Sequence, residues 1–256
     1  MRDPTAAFMV LRDAMAAPAG LIAAPSGTRC CYWHTVRMTR RAANGEGGAG
    51  PAARLRAEHA EATRRAVLAA ARSLFGRNGY AQTSVDEIAD AARVTKGAVY
   101  HHFANKQALF RAVYAQTGAD AQDRVIQAGG LGAGADAQPV DQIVAMMSAY
   151  LDASLDPEFR RIILIDGPAV VGFDAEAEAA AAEQPGMQAL RSFIAMSMAH
   201  GQLIELDPKQ LTELIGGMAW LAGSIIARAA DPEAARASLG RVVDVMLRGL
   251  APDTTK

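Results

Sequence analysis

Apolar positions recur at helical spacing over most of this chain, and almost nowhere do they alternate as a half-buried strand would. Residues 1–56 lack sustained periodicity, and the stretch "AANGEGGAGPAAR" has the composition of a flexible linker. From Glu58 the pattern turns helical, with Val67, Ala71, Leu74 and Phe75 on one face and Arg64, Arg65 and Arg72 off it. The glycines of "GRNGY", Gly76 and Gly79, are expected to stop that helix. Ser84 with Glu87 three residues on has capping-box spacing and opens a second helix through Val85, Ile88 and Ala89 to about Ala92. Thr95 is the N-cap of a third, short helix. Asn105 caps a fourth that continues through Leu109, Phe110 and Val113.

The helical pattern resumes after "GGLGAGADAQP". Asp-Pro then stands before helical patterns three times, at Asp156-Pro157, Asp207-Pro208 and Asp231-Pro232. Each pair reads as an N-cap followed by proline at the first helical position, where its missing N–H costs nothing. The helix from Pro208 carries Gly216, Gly217, Ala219, Ala222 and Gly223, small residues that let another helix pack closely. The last helix carries Leu239, Val242, Val243, Met246 and Leu247. These two helices suit either half of an intersubunit four-helix bundle or packing within one subunit. The fold class expected is all-α.

A short helix, a tight turn and a second short helix form a helix-turn-helix, whose second helix enters the DNA major groove with its N-terminal residues first. In "TKGAVYHHFANK", Lys96 can reach a base edge or a phosphate, and Gly97 lets the helix approach the duplex. Tyr100 and His101 can contact the sugar-phosphate backbone, while Val99 and Phe103 face inward. Charge supports the reading. The net charge of −1 hides a gradient of +5 over residues 1–56, +3 over 57–114 and −9 over 115–256. A basic front end meets an anion and an acidic back end does not.

The segment "TRRAVLAAARSLFGRNGYAQTSVDEIADAARVTKGAVYHHFANKQALFRAVY" closely resembles the DNA-binding domain of TetR-family transcriptional regulators. The positions in register are Phe75, Gly79, Tyr80, Thr83, Ile88, Ala89, Val94, Lys96, Gly97, Tyr100, His102, Phe103, Lys106 and Leu109. Arg93 is the departure, standing in the inter-helix turn where family members often place glycine. The resemblance implies an all-helical homodimer: an N-terminal three-helix helix-turn-helix domain over 57–114 and a C-terminal effector-binding and dimerisation domain over 115–252. It implies DNA contacts from Thr83 and Ser84 at the second helix's start, from Thr95, Lys96, Tyr100 and His101, and from Lys106 heading the fourth helix. It also implies that the last two helices form the dimer. Family members usually begin shortly before the first helix, so residues 1–37 are expected to be a misassigned start or a disordered tail, with Met38 the true beginning.

The C-terminal part is rich in flexible and aromatic apolar residues, among them Met147, Tyr150, Phe159, Phe173, Phe193, Met196 and Trp220. Most serve as core, yet methionine suits a surface that adapts to varied shapes. Together with His200 these eight are the candidate contacts for an apolar or amphipathic small-molecule effector, hydrogen-bonded by Tyr150 or His200. An enzyme is not expected: His200 near Glu205 and Asp166 before Gly167 and Pro168 lack a nucleophile elbow, phosphate loop or metal-ligand spacing. No catalytic residue, cofactor or metal is assigned. No run of eighteen apolar residues marks a membrane span, and adjacent Cys30 and Cys31 cannot staple one another, so the chain reads as cytoplasmic. The function implied is a ligand-responsive repressor that binds a near-palindromic operator as a homodimer. Two alternatives stay open: a DNA-architectural protein without an effector, and a metal-responsive regulator using Cys30, Cys31 and His34.

Overall fold

In the computed structural model, residues 51–130, 137–172 and 185–252 are described. They are helical throughout, with no strand among the described residues. Contacts divide the chain into two compact units, Met1–Glu58 and His59–Lys256, and of the first only residues 51–58 are described, all helical. The helices are α1 (Pro51–Gln82), α2 (Val85–Ala92), α3 (Lys96–His102), α4 (Lys106–Gly129), α5 (Pro139–Ala153), α6 (Pro157–Phe159), α7 (Gly167–Val171), α8 (Pro185–Ala199), α9 (Pro208–Arg228) and α10 (Pro232–Arg248). A π-helix, Arg160–Asp166, joins α6 to α7.

The local chemistry of the caps explains most of these boundaries. The Asp156, Asp207 and Asp231 carboxylates each accept a backbone N–H from the first turn that follows, with proline at the next position. Asn105 caps α4 by accepting the Ala108 N–H at 2.7 Å. Two expectations fail. The first helix begins at Pro51 rather than Glu58, inside the stretch whose composition suggests a linker. Gly76 does not stop it either: it is helical, and its missing Cβ lets the Glu158 side chain pack against the backbone. The break falls at Gly79 alone, at φ 80° and ψ 167°.

Three apolar clusters hold the described helices together. The first combines Val67, Ala71, Phe75, Ile88, Val99, Leu109, Phe110 and Val113 with Phe159, Ile162, Ile163 and Leu164 of α6 and the π-helix. Rings of Phe75, Tyr80 and Phe110 pack at its centre, with centroids 5.1–5.9 Å apart. The second gathers Ile143, Met147, Leu190, Phe193, Ile194, Ile215, Val243 and Leu247 from α5, α8, α9 and α10. A third, Leu151, Ala222 and Ile226, sits between α5 and α9. Helix α4 runs unbroken past residue 114, where composition and charge change.

Polar contacts around the first cluster tie the π-helix to the α1–α2 corner. One carboxylate oxygen of Asp166 accepts the Tyr80 N–H at 2.7 Å and the Arg161 Nε–H at 3.1 Å. Arg72 bonds Glu158 at 2.6 Å and also reaches Asp120. Helix α9 is long and apolar enough, by length and composition, to cross a membrane, at a mean hydropathy of 1.2. Here it packs on α5, α8, α10 and the π-helix, which accounts for its buried face.

Gly79 yields a prediction. Its φ of 80° suits glycine only, and a Cβ there would collide with the Arg161 guanidinium. Gly79→Ala is expected to destabilise the protein by about 1–3 kcal/mol from backbone strain alone. Urea unfolding measures this, and an unchanged midpoint would mean that the corner is not held in this conformation.

Candidate nucleic-acid interface

The α2–α3 pair is a helix-turn-helix built from two side-chain caps and one strained turn. Ser84 Oγ accepts the Glu87 N–H at 3.2 Å while the Glu87 carboxylate accepts the Ser84 N–H at 2.7 Å, the capping box that the spacing predicts. Those bonds, first from the Ser84 N–H and then from its hydroxyl, hold the Glu87 carboxyl below its ordinary pKa. Helix α2 ends at Arg93 in the left-handed region, φ 56° and ψ 43°, the residue that stands where the family often has glycine. The Val94 N–H closes the turn on the Ala89 carbonyl at 3.0 Å. Thr95 Oγ1 then caps α3 by accepting the Ala98 N–H at 3.2 Å.

Helix α3 has two distinct faces. Val99 and Phe103 are buried, as their inward spacing predicts, and Arg64 lies over the Phe103 ring at 5.6 Å. Thr95, Lys96, Gly97, Tyr100 and His101 are exposed. Tyr100 is 45% exposed, unusual for a large ring unless something covers it in use. His102 is half-buried, and its pKa is lowered first by burial and then by His101 and Arg64. Lys106 heads α4 with its ammonium 4.3 Å from the centre of the Tyr80 ring and 3.5 Å from the Ala81 carbonyl. Ser84, the N-cap of α2, is exposed.

Thr83 corrects the expectation that it meets DNA. It is 1% exposed, and its hydroxyl donates to the Gly79 carbonyl at 2.8 Å, tying down the irregular end of α1. One polar residue on this face escaped sequence reasoning. Asp86, in the first turn of α2, accepts a hydrogen bond from Lys96 Nζ at 2.8 Å across the motif. The signal was present only as opposite charges ten positions apart, which helical periodicity does not join.

The described candidate effector residues are divided between apolar clusters. Tyr150, Phe159 and Trp220 belong to the first cluster, with the Tyr150 and Phe159 rings edge to face at 5.8 Å. Burial, and then Tyr114, push the Tyr150 phenol above its ordinary pKa. Met147 and Phe193 lie in the second cluster instead. Met196 is half-buried on α8. His200 is exposed in the turn after α8, with Nδ1 2.8 Å from the Met196 carbonyl of its own helix. Phe173 lies outside the described residues, as do Cys30, Cys31, His34 and Met38. No cluster of metal-ligating side chains occurs among the described residues.

This geometry defines a class: a helix-turn-helix reading head continuous with a larger helical body. Comparison with known proteins gives the family. The profile described as "Bacterial regulatory proteins, tetR family" matches residues 67–113, and "Tetracyclin repressor-like, C-terminal domain" matches 140–250. A TetR-family transcriptional regulator of known structure from Pectobacterium atrosepticum is 32% identical, with a TM-score of 0.66 over 76% of this chain and 96% of that one. The chain belongs to the TetR family. The Transposon Tn10 TetC protein of Escherichia coli is 48% identical over 59 residues, 23% of this chain but only 30% of that protein. The structure of AibR in complex with isovaleryl coenzyme A and operator DNA shares the fold at 23% identity and a TM-score of 0.51, over 73% of this chain and 99% of that one.

The left-handed arginine can be tested. A side chain in that region costs about 1 kcal/mol. Arg93→Gly is therefore expected to raise unfolding stability by about that much. A loss of stability on urea titration would show that the Arg93 side chain makes a compensating contact.

Proposed function

We propose that this chain is a ligand-responsive transcriptional repressor that binds a near-palindromic operator as a homodimer in the cytoplasm. The observation that carries the reading is the exposed face of α3, where Lys96, Gly97, Tyr100 and His101 stand together opposite the buried Val99 and Phe103. Gly97 supports it from another direction. A Cβ on Gly97 would meet nothing nearer than Thr95 Oγ1, at 3.9 Å, so the fold itself has no need of glycine there. Close approach of a duplex supplies that need. In this reading residues 57–114 form the DNA-binding part, with Ser84, Thr95, Lys96, Gly97, Tyr100, His101 and Lys106 facing the duplex, and residues 115–252 form the effector-binding and dimerisation part. No catalysis is involved.

Dimerisation through α9 and α10 is supported by their uncovered apolar side chains. Leu214, Leu221 and Ile225 on α9 and Val242, Val245 and Met246 on α10 are all between 44% and 72% exposed. Large apolar side chains exposed in such number on two neighbouring helices support an interaction surface there. The effector would be an apolar or amphipathic molecule. AibR, which has the same fold, is seen with an acyl-coenzyme A and operator DNA. To release the operator, the effector must favour a dimer whose recognition helices no longer match half-sites about 34–36 Å apart.

Three outcomes are expected. Gly97→Ala should weaken operator binding while leaving unfolding stability unchanged or raised by up to about 1 kcal/mol, the glycine-to-alanine gain in a helix. Unchanged affinity in a gel-shift assay would take α3 out of the duplex. Leu214→Glu together with Val245→Glu should convert a dimer to a folded monomer in analytical ultracentrifugation, and a persistent dimer would move the interface elsewhere. Hydrophobic compounds that raise the melting temperature should weaken operator binding, and hits that never do so would mark a cavity without regulatory effect.

A further inference from the structure

The Asp86–Lys96 pair bridges the first turns of α2 and α3 within the face assigned to DNA. Both side chains are more than half exposed, at 64% and 52%. A surface ion pair of this kind adds little to stability. Its geometry is nevertheless well fixed. Asp86 lies in the first turn of α2, next to the Glu87 that closes the capping box, where the helix dipole favours a carboxylate. Lys96 opens α3, where the dipole disfavours a cation, so the carboxylate offsets a local penalty. That hydrogen bond, and then the charge of Asp86, raise the Lys96 pKa. Lys106 is differently engaged, with its ammonium over the Tyr80 ring.

Resting on the proposed DNA-binding function, we propose that Asp86 is a specificity-determining residue that holds Lys96 in an intramolecular ion pair, so that Lys96 is released only to a site that seats α3 fully. On a duplex of arbitrary sequence Lys96 meets phosphates, and base edges whose pattern does not match it. Exchanging a carboxylate for a phosphate gains little, and it leaves Asp86 unpaired beside a polyanion. The pair thus removes one counterion-releasing contact from sequence-independent binding. At the operator the cost of opening the pair is the same, but a base-edge hydrogen bond from Lys96 can offset it. Asp86 therefore lowers affinity for all DNA and lowers it most for the wrong DNA.

The experiment uses the full chain and its Asp86→Asn, Lys96→Gln and doubly substituted variants. Binding to a mixed-sequence duplex is followed by fluorescence anisotropy at several salt concentrations, beside a fragment selected from a random pool by the unsubstituted protein. One additional phosphate contact is worth about five- to tenfold in affinity near 0.1 M salt and steepens the log–log salt slope by about 0.9. Asp86→Asn should show both changes on mixed-sequence DNA, with a smaller gain on the selected fragment, and the gain should vanish in the Lys96→Gln background. An unchanged or weakened affinity in Asp86→Asn overturns the proposal. So does a gain that persists without Lys96, because the carboxylate would then act by direct repulsion. If Asp86→Asn melts at a lower temperature, Asp86→Ser repeats the comparison with a residue that also tolerates a first turn. Failure of the unsubstituted protein to bind either duplex at low salt would overturn the DNA-binding reading itself, a result distinct from any of these.

Discussion

The reading head shares its core with the helices that follow it. A three-helix unit of this size is marginal by itself. Here Val67, Phe75, Ile88, Val99 and Phe110 are completed by Phe159, Ile162, Ile163 and Leu164, which come from α6 and the π-helix. The polar contacts at the edge of that core make the attachment directional. Asp166 holds the Tyr80 N–H, Arg161 holds Asp166, and Arg72 reaches both Glu158 and Asp120. The orientation of α2 and α3 follows from this attachment, since Gly79 and Tyr80 lead directly into Ser84 and the capping box. A π-helix is rare because its bonding geometry is poor, and it survives where something else is gained. In this chain it brings three consecutive buried side chains, Ile162, Ile163 and Leu164, to the core while leaving Arg161 and Asp166 free to grip the corner.

What the sequence reveals and what it hides divide along physical lines. Caps are local chemistry, so Ser84 with Glu87, Thr95, Asn105 and the three Asp-Pro pairs are readable from spacing alone. The inward positions Val99 and Phe103 are readable for the same reason, because helical period fixes them. Gly76 misleads because a helical glycine that admits a neighbour's side chain looks identical, in sequence, to a glycine that ends a helix. "RRIILID" carries no mark of π geometry, which depends on what packs around it. Thr83 is misread because exposure is tertiary: its hydroxyl turns into the corner.

The scattering of the effector candidates has a related cause. Composition identifies which residues are large, apolar and adaptable, but not which helix faces they share. Tyr150 and Met147 lie three apart on α5, yet they join different clusters, since α5 is sandwiched between α4, α9 and α10. Trp220 joins Tyr150 and Phe159 through α9. The same helix contributes Ile215 to the second cluster and Ala222 and Ile226 to the third. Helices α5 and α9 therefore both enter all three clusters.

That placement constrains how the proposed regulation can operate. One face of α9 packs against the π-helix that closes the reading head, and another leaves Leu214, Leu221 and Ile225 uncovered. A partner on the outer face and a ligand on the inner face would therefore act on a single rigid rod. Packed interiors respond to such forces by moving between discrete arrangements, because close packing resists gradual deformation. A ligand that filled space equally well in both arrangements would bind and change nothing. Regulation through this helix thus requires a ligand whose fit depends on the distance between α9 and α5, where the Gly223 backbone already lies against Ser154 and Tyr150. Tyr150 also meets Phe159 edge to face, and Phe159 belongs to the core that Val99 and Phe103 of the α3 segment share.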